Sequence, residues 1–186
     1  MDYSVIITTL YPTAILNVDY YISNNNDGNG VIINNWNTTK LGTAPTIAYL
    51  TNYYNTNMAL PLAQAAQISM LQLACRNTII NGFPCSALGS SYTYPNKNTE
   101  ENPDQVNMAS SVLAAMINAS VSGWTTPMWC QDNTGTWVYA NHTSPQVMQV
   151  ATTGKTFVVG NQTKLTNLIT QVNNATTVAA VQAIVW

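Results

Sequence analysis

Charge is what this chain has least of. Of 186 residues, five are Lys or Arg and seven are Asp or Glu, 6 % in all, against roughly 25 % in an ordinary soluble domain. The cations Lys40, Arg76, Lys97, Lys155 and Lys164 are scattered. No basic stripe follows a phosphate backbone, which argues against nucleic-acid binding. No uninterrupted apolar run approaches the roughly 18 residues that mark a membrane helix, so no membrane partner is expected. The N-terminus carries Asp2 and neither Lys nor Arg, and its apolar residues 5–10 are broken by Thr8 and Thr9 before Pro12. This does not read as a signal peptide.

Chemistry-bearing residues are equally sparse. The three cysteines, Cys75, Cys85 and Cys130, are odd in number and form no CxxC. They read as small buried thiols made in a reducing compartment. With one histidine, His142, no zinc-ligand spacing exists. A Ser-His-Asp or Cys-His site would need that imidazole, and the chain has no G-x-S-x-G elbow. His142 reads as a loop residue ahead of a helix cap. The run 25–30 (Asn-Asn-Asp-Gly-Asn-Gly) imitates the start of a calcium loop, but the twelfth position from Asn25 is Trp36, not Glu. Glu100 and Glu101 form an acidic pair in a polar loop, where acids near a helix start suit its dipole. The expectation is therefore no catalytic residue, no metal and no cofactor.

Neutral polar residues fill the gap: 24 Asn and 25 Thr, beside 46 % hydrophobic residues, ten Tyr and five Trp. Five Asn-x-Ser/Thr triplets, at Asn37, Asn118, Asn141, Asn161 and Asn174, are about as many as a random arrangement of these residues contains. Residues 41–75, 105–131 and 165–186 are uncharged throughout. A free monomer keeps its neighbours away with net and mixed-sign charge. A chain that forgoes this is expected to sit inside an assembly. Tyr and Trp combine apolar area with a polar handle and suit interfaces and sugar stacking. Core packing is expected to take most of them, Trp36 and Trp137 in particular. Tyr53, Tyr54 and Trp186 are the candidate interface residues.

The pattern predicts an α+β fold: a small N-terminal β-hairpin and helix unit over residues 1–57, then a mainly helical domain with a β-hairpin over 58–186. A short helix ends at Tyr11-Pro12. Two β-rich runs, 18–23 and 31–36, flank the Asn/Asp/Gly cluster and read as a hairpin. A helix over Ile47–Tyr53 follows, then a polar linker over 52–59. Pro61 suits a first helical position, and Gly82 stops the helix that follows. That helix carries two apolar faces, one of Leu62, Ala65, Ala66, Ser69 and Leu73 and one of Ile68, Leu71 and Cys75, as a buried or bundled helix would. Residues 82–96 read as short strands and turns. Asn102-Pro103 opens a helix striped by Val106, Ala109/Ser110, Leu113 and Met116/Ile117. Residues 128–139 form a second hairpin. Ser144-Pro145 starts a long helix to about Val172, weakened by Gly154 and Gly160. Thr176 or Thr177 caps a last short one.

The opening unit resembles short tail-associated proteins of phages and defective prophages of the XkdW type. The matching residues are 10–14 (Leu-Tyr-Pro-Thr-Ala), Val18-Asp19-Tyr20, the 26–30 Asp-Gly cluster, Ile32 to Trp36-Asn37, and Ala44-Pro45-Thr46 leading to Leu50. The remainder, from about Leu60, is similar to a domain of unknown function found in phage tail-fibre and tail-fibre-assembly proteins. It shares Gly82-Phe83, Tyr92 and Tyr94, a helix near Gln105 and Asn107, Trp129 with Asp132-Asn133, and Ile184 with Trp186. Few helix charges seen in that family are present here, which favours incorporation into a particle. The resemblance implies a non-enzymatic structural component of a bacteriophage tail, made in the host cytoplasm and located in the virion at the tail fibre or baseplate. Its partners would be other tail or tail-fibre proteins and further copies of itself. A tail-fibre assembly chaperone and a host-surface glycan-binding module are the alternatives.

Overall fold

Asp2 opens the fold. Its carboxylate accepts the Ser4 N–H at 2.9 Å and caps α1 (Tyr3–Leu10) in the computed structural model, which describes residues 1–24, 28 and 30–186. A two-stranded antiparallel hairpin follows, β1 (Tyr21–Asn24) on β2 (Val31–Asn34), with Ile22 opposite Ile33. The turn and calcium-loop readings of Asn25, Asn26, Asp27 and Asn29 lie outside the described residues. Asn37 caps the short α2 (Thr38–Leu41), and Thr46 Oγ1 accepts the Tyr49 N–H at the start of α3 (Ile47–Tyr53).

These pieces close on a core of Ile6, Ile7, Ala14, Tyr20 and Leu50. Trp36 packs against it, edge-on to Tyr11 at 5.1 Å, in the core role expected of it. Asp19 is buried beside this core and accepts from Ile15 N–H, Asn37 Nδ2 and Lys40 Nζ. The Lys40 ammonium holds the Asp19 carboxyl below its ordinary pKa. A buried carboxylate needs such partners to stay ionised.

The expected linker over residues 52–59 is instead helical. A π-type turn (Tyr54–Met58) joins α3 to α4 (Ala59–Ile80), and Pro61 sits two residues inside α4 rather than at a helix start. In a regular α-helix the Pro61 ring would press on the carbonyl four residues back. The wider turn just upstream, closed by the Ala59 N–H on Tyr54 O, re-spaces those carbonyls so that the helix continues. Composition alone marked this polar, Tyr/Asn-rich stretch as a linker. The chain divides inside α4, not at residue 57: Met1–Ala65 with Thr176–Val181 form one compact unit, and Ala66–Ala175 with Gln182–Trp186 the other.

In the second unit, Gly82 ends α4 at φ +93° and lies against the backbone of Tyr94, which leaves no space for a Cβ. β3 (Phe83–Cys85), β4 (Tyr92–Tyr94), β5 (Thr125–Gln131) and β6 (Trp137–Thr143) form one antiparallel sheet in that order. The expected second hairpin is its β5–β6 half. Asp132 makes the turn by accepting the N–H groups of Thr134 and Thr136 at 2.8 and 2.9 Å. Between β4 and β5 runs α5 (Asp104–Ile117), and after β6 comes α6 (Ser144–Asn174); the next helix, α7 (Val178–Gln182), belongs up to Val181 to the first unit. Thr143, not Ser144, caps α6 in a capping box with Gln146. Ser144 instead donates to Ala115 O at 2.8 Å and ties α6 to the end of α5. Thr177 Oγ1 accepts the Ala180 N–H at α7.

The core of this unit holds Phe83, Tyr94, Met128, Cys130, Val147 and Val150 between the sheet and helices α5 and α6. Gly154 on α6 makes the closest approach. A Cβ there would stand 2.6 Å from Phe83 Cζ. The three cysteines are free and buried, as expected of small core thiols.

Candidate functional site

The apolar stripe of α5 faces solvent. Val106, Ala109, Ser110, Leu113, Met116 and Ile117 are all exposed, Leu113 at 59 % and Ile117 at 71 %. The helix packs through a second set, Met108, Val112 and Ala115. The same inversion occurs on α4. Leu62, Ala65, Ala66, Ser69 and Leu73 are exposed, while Leu71 and Cys75 are buried. The expectation that both faces of α4 are covered is corrected: only one is. These open stripes carry no charge, although an exposed helix face is normally laced with ion pairs.

The outer face of the β5–β6 hairpin carries an aromatic ridge. Trp129 stands directly opposite Tyr139 in the register, and Trp137 lies two pairs along, opposite Gln131 on the same face. Ring centroids are 4.7 Å apart for Trp129–Tyr139 and 5.8 Å for Trp129–Trp137, the two indoles within 18° of parallel. Aromatic pairs at these spacings add about 0.5–1.5 kcal/mol each beyond area burial. Trp137 is 38 % exposed and belongs to this ridge, which corrects its expected core role. Period-2 alternation explains the difference. Met128, Cys130, Val138 and Ala140 take the inner face, so residues of the other parity must point out.

Two clefts of about 380 Å³ each border the ridge and share Trp129, Pro95 and Asp104. One is lined by Trp129 and Tyr139 with Asp104, Asn107, Ser110 and Ser111 of α5 and its N-terminal end. The other is lined by Trp129 and Trp137 with Asn81, Lys97, Asn102 and Asp104. Asp104 Oδ2 accepts the Lys97 N–H at 2.9 Å, which fixes the carboxylate between the two clefts.

His142 is not a loop residue. It is fully buried in β6, where parity turns it inward with Val138 and Ala140. Its Nδ1–H donates to Ala140 O at 2.8 Å, which leaves Nε2 to accept the Tyr94 hydroxyl at 2.7 Å. Burial pushes the imidazole pKa down and the Tyr94 hydroxyl up. Burial also raises the thiols of Cys75 and Cys130, and a thiol kept protonated is a poor nucleophile. Among the described residues, no three His, Cys, Asp or Glu side chains meet as a metal site would require.

Tyr53 and Tyr54 are half-buried against the core of the first unit, so part of their area is already committed there. Trp186 belongs to the second unit and is half-buried, with Lys164 Nζ 4.4 Å from its ring centroid. The ridge of Trp129, Trp137 and Tyr139 was missed as a set. Its signal was the shared parity of three aromatics around the Asp132 turn.

One helical run, Ile47–Ile80, is long and apolar enough by length and composition to cross a membrane, with a mean hydropathy of 1.2 over 18 residues. Counting uninterrupted apolar residues hides it, because Asn and Gln punctuate the run.

Comparison of the chain with family models, with characterised proteins and with solved structures gave no match.

Proposed function

We propose that this chain is a non-enzymatic structural component of a bacteriophage tail, associated with the tail fibre or baseplate, that works by protein–protein assembly. The observation that carries the assembly reading is the open apolar stripe of α5, from Val106 to Ile117, on a helix whose single charge is Asp104. Contiguous exposed apolar surface of this kind marks an interaction site. Desolvating it costs little, because almost no charge must be stripped of water. Asn and Thr, abundant in this chain, can each donate and accept across an interface. The collinear tail-protein motifs set out above support the tail assignment.

Composition of purified tails tests it. The expected result is this chain as a stoichiometric band, lost on Leu113→Glu while the isolated variant keeps its helix content. Absence from the finished particle, with the fibre failing to assemble when the chain is deleted, would replace the structural role with that of a chaperone.

A further inference from the structure

We infer that the Trp129–Trp137–Tyr139 ridge and its two clefts are a binding site for a neutral oligosaccharide, at least one sugar ring lodging in each cleft. The inference shares only Ser110 with the stripe on α5 and holds wherever the chain is located. Three observations carry it.

First, the rings are presented rather than buried. Tyr139 is 72 % exposed and both indoles are more than a third exposed. Aromatic side chains on a hairpin cost the protein little entropy to hold still, having two side-chain torsions each. The apolar C–H face of a pyranose packs on such a ring, while its hydroxyls point outward.

Second, each cleft sets polar side chains beside apolar ones such as Pro95, Met108 and Ile80. Asn107, Ser110 and Ser111 border one cleft, and Asn81, Asn102 and Lys97 the other. These amides and hydroxyls both donate and accept, as recognition of an O–H group requires. Asp104, shared by the two clefts and oriented by Lys97 N–H, adds a charge-assisted acceptor, the stronger kind of hydrogen bond.

Third, the charges balance. One carboxylate and one ammonium line the pair of clefts, which suits an uncharged ligand and offers no clamp for an anionic sugar. The packing of the rings also disfavours a proline-rich peptide. Such peptides dock in slots between aromatic side chains, and centroid spacings of 4.7 and 5.8 Å leave no slot between these.

The test is binding of the full chain to an array of neutral and anionic oligosaccharides, followed by fluorescence titration with the strongest neutral ligand. Binding to neutral glycans is expected. Trp129→Ala, which removes the ring common to both clefts, should weaken it about tenfold or more, and Tyr139→Ala or Trp137→Ala about threefold to tenfold. Trp129→Tyr should recover part of the loss, which separates ring stacking from damage to the hairpin. Val159→Ala, exposed on α6 and lining neither cleft, should change nothing. The proposal is overturned if no neutral glycan binds, if only anionic glycans or a polyproline peptide bind, or if Trp129→Ala binds as tightly as the parent.

Discussion

Gly154 and Gly160 lie on the same helix, six positions apart, and alanine should move stability in opposite directions at the two sites. At Gly160, which is exposed, an added Cβ meets no atom within 4 Å. Glycine in a helix interior costs about 1 kcal/mol relative to alanine, so Gly160→Ala should stabilise the second unit by about 0.5–1 kcal/mol. At Gly154 the same propensity gain is present, but the methyl group would stand 2.6, 2.8 and 3.3 Å from three carbons of the Phe83 ring. That ring has nowhere to retreat. It is fully buried, with Tyr94 at 5.8 Å and Phe157 at 6.1 Å, and the Tyr94 hydroxyl is tied to His142. Overpacking of this kind costs about 1–3 kcal/mol. The propensity term cancels between the two variants, so their difference isolates the collision. It corresponds to a gap in Tm of roughly 2–12 °C at this chain length. Thermal melts of both variants, followed by far-ultraviolet circular dichroism, read it directly. If Gly154→Ala melts together with Gly160→Ala, above the parent, the close contact between α6 and Phe83 does not exist.

Three further outcomes follow from the same packing. His142 has a folded-state pKa below its ordinary value of 6.5, so its contribution to stability is complete above that pH and is lost as pH falls through the folded-state value, with a slope of at most ~1.4 kcal/mol per pH unit. Denaturant melts between pH 7.5 and 5 should show this decline in the parent and not in His142→Gln; a flat parent profile refutes the buried neutral imidazole. Tyr94→Phe, which leaves Nε2 unpartnered, should cost about 1–3 kcal/mol, and a variant as stable as the parent would contradict the hydrogen bond. Sedimentation of the isolated chain should show oligomers that Leu113→Glu reduces, and the chain should stay unbound in a liposome flotation experiment. A stable monomer at high concentration, or flotation with the lipid, would remove the protein-interface reading of the open α5 and α4 faces.

Much of the framework was legible. The bounds of α3, the hairpin after Asp19, the hairpin around Asp132, the stop at Gly82 and the long α6 all follow from local chemistry: caps, positive-φ glycines and alternating apolar residues. The errors share one cause. On α4 and α5 the sequence offers two apolar faces and almost no charge, so nothing in either helix says which face is inside. The regular stripe of α5 carries no sign in the sequence of which side it takes, and it is the surface. In the β5–β6 hairpin, two sets of opposite parity, one aromatic and one small and apolar, compete for the inner face. The small set with His142 occupies it because α5 and α6 cover that side closely. The Asn-rich segment after α3 looked like a linker because its residues are poor helix formers, yet a π-type turn carries the helix through them.

By itself, then, the order of amino acids determined where elements begin, bend and stop, since those events depend on the few residues around each turn or cap. It also determined that the surface would be nearly uncharged. Only the tertiary structure decided which of two equivalent faces is covered, because that choice depends on the shape and volume of elements distant in the chain. Gly154 can sit against Phe83, and the ridge of Trp129, Trp137 and Tyr139 stands in solvent, because the remaining space inside was already filled.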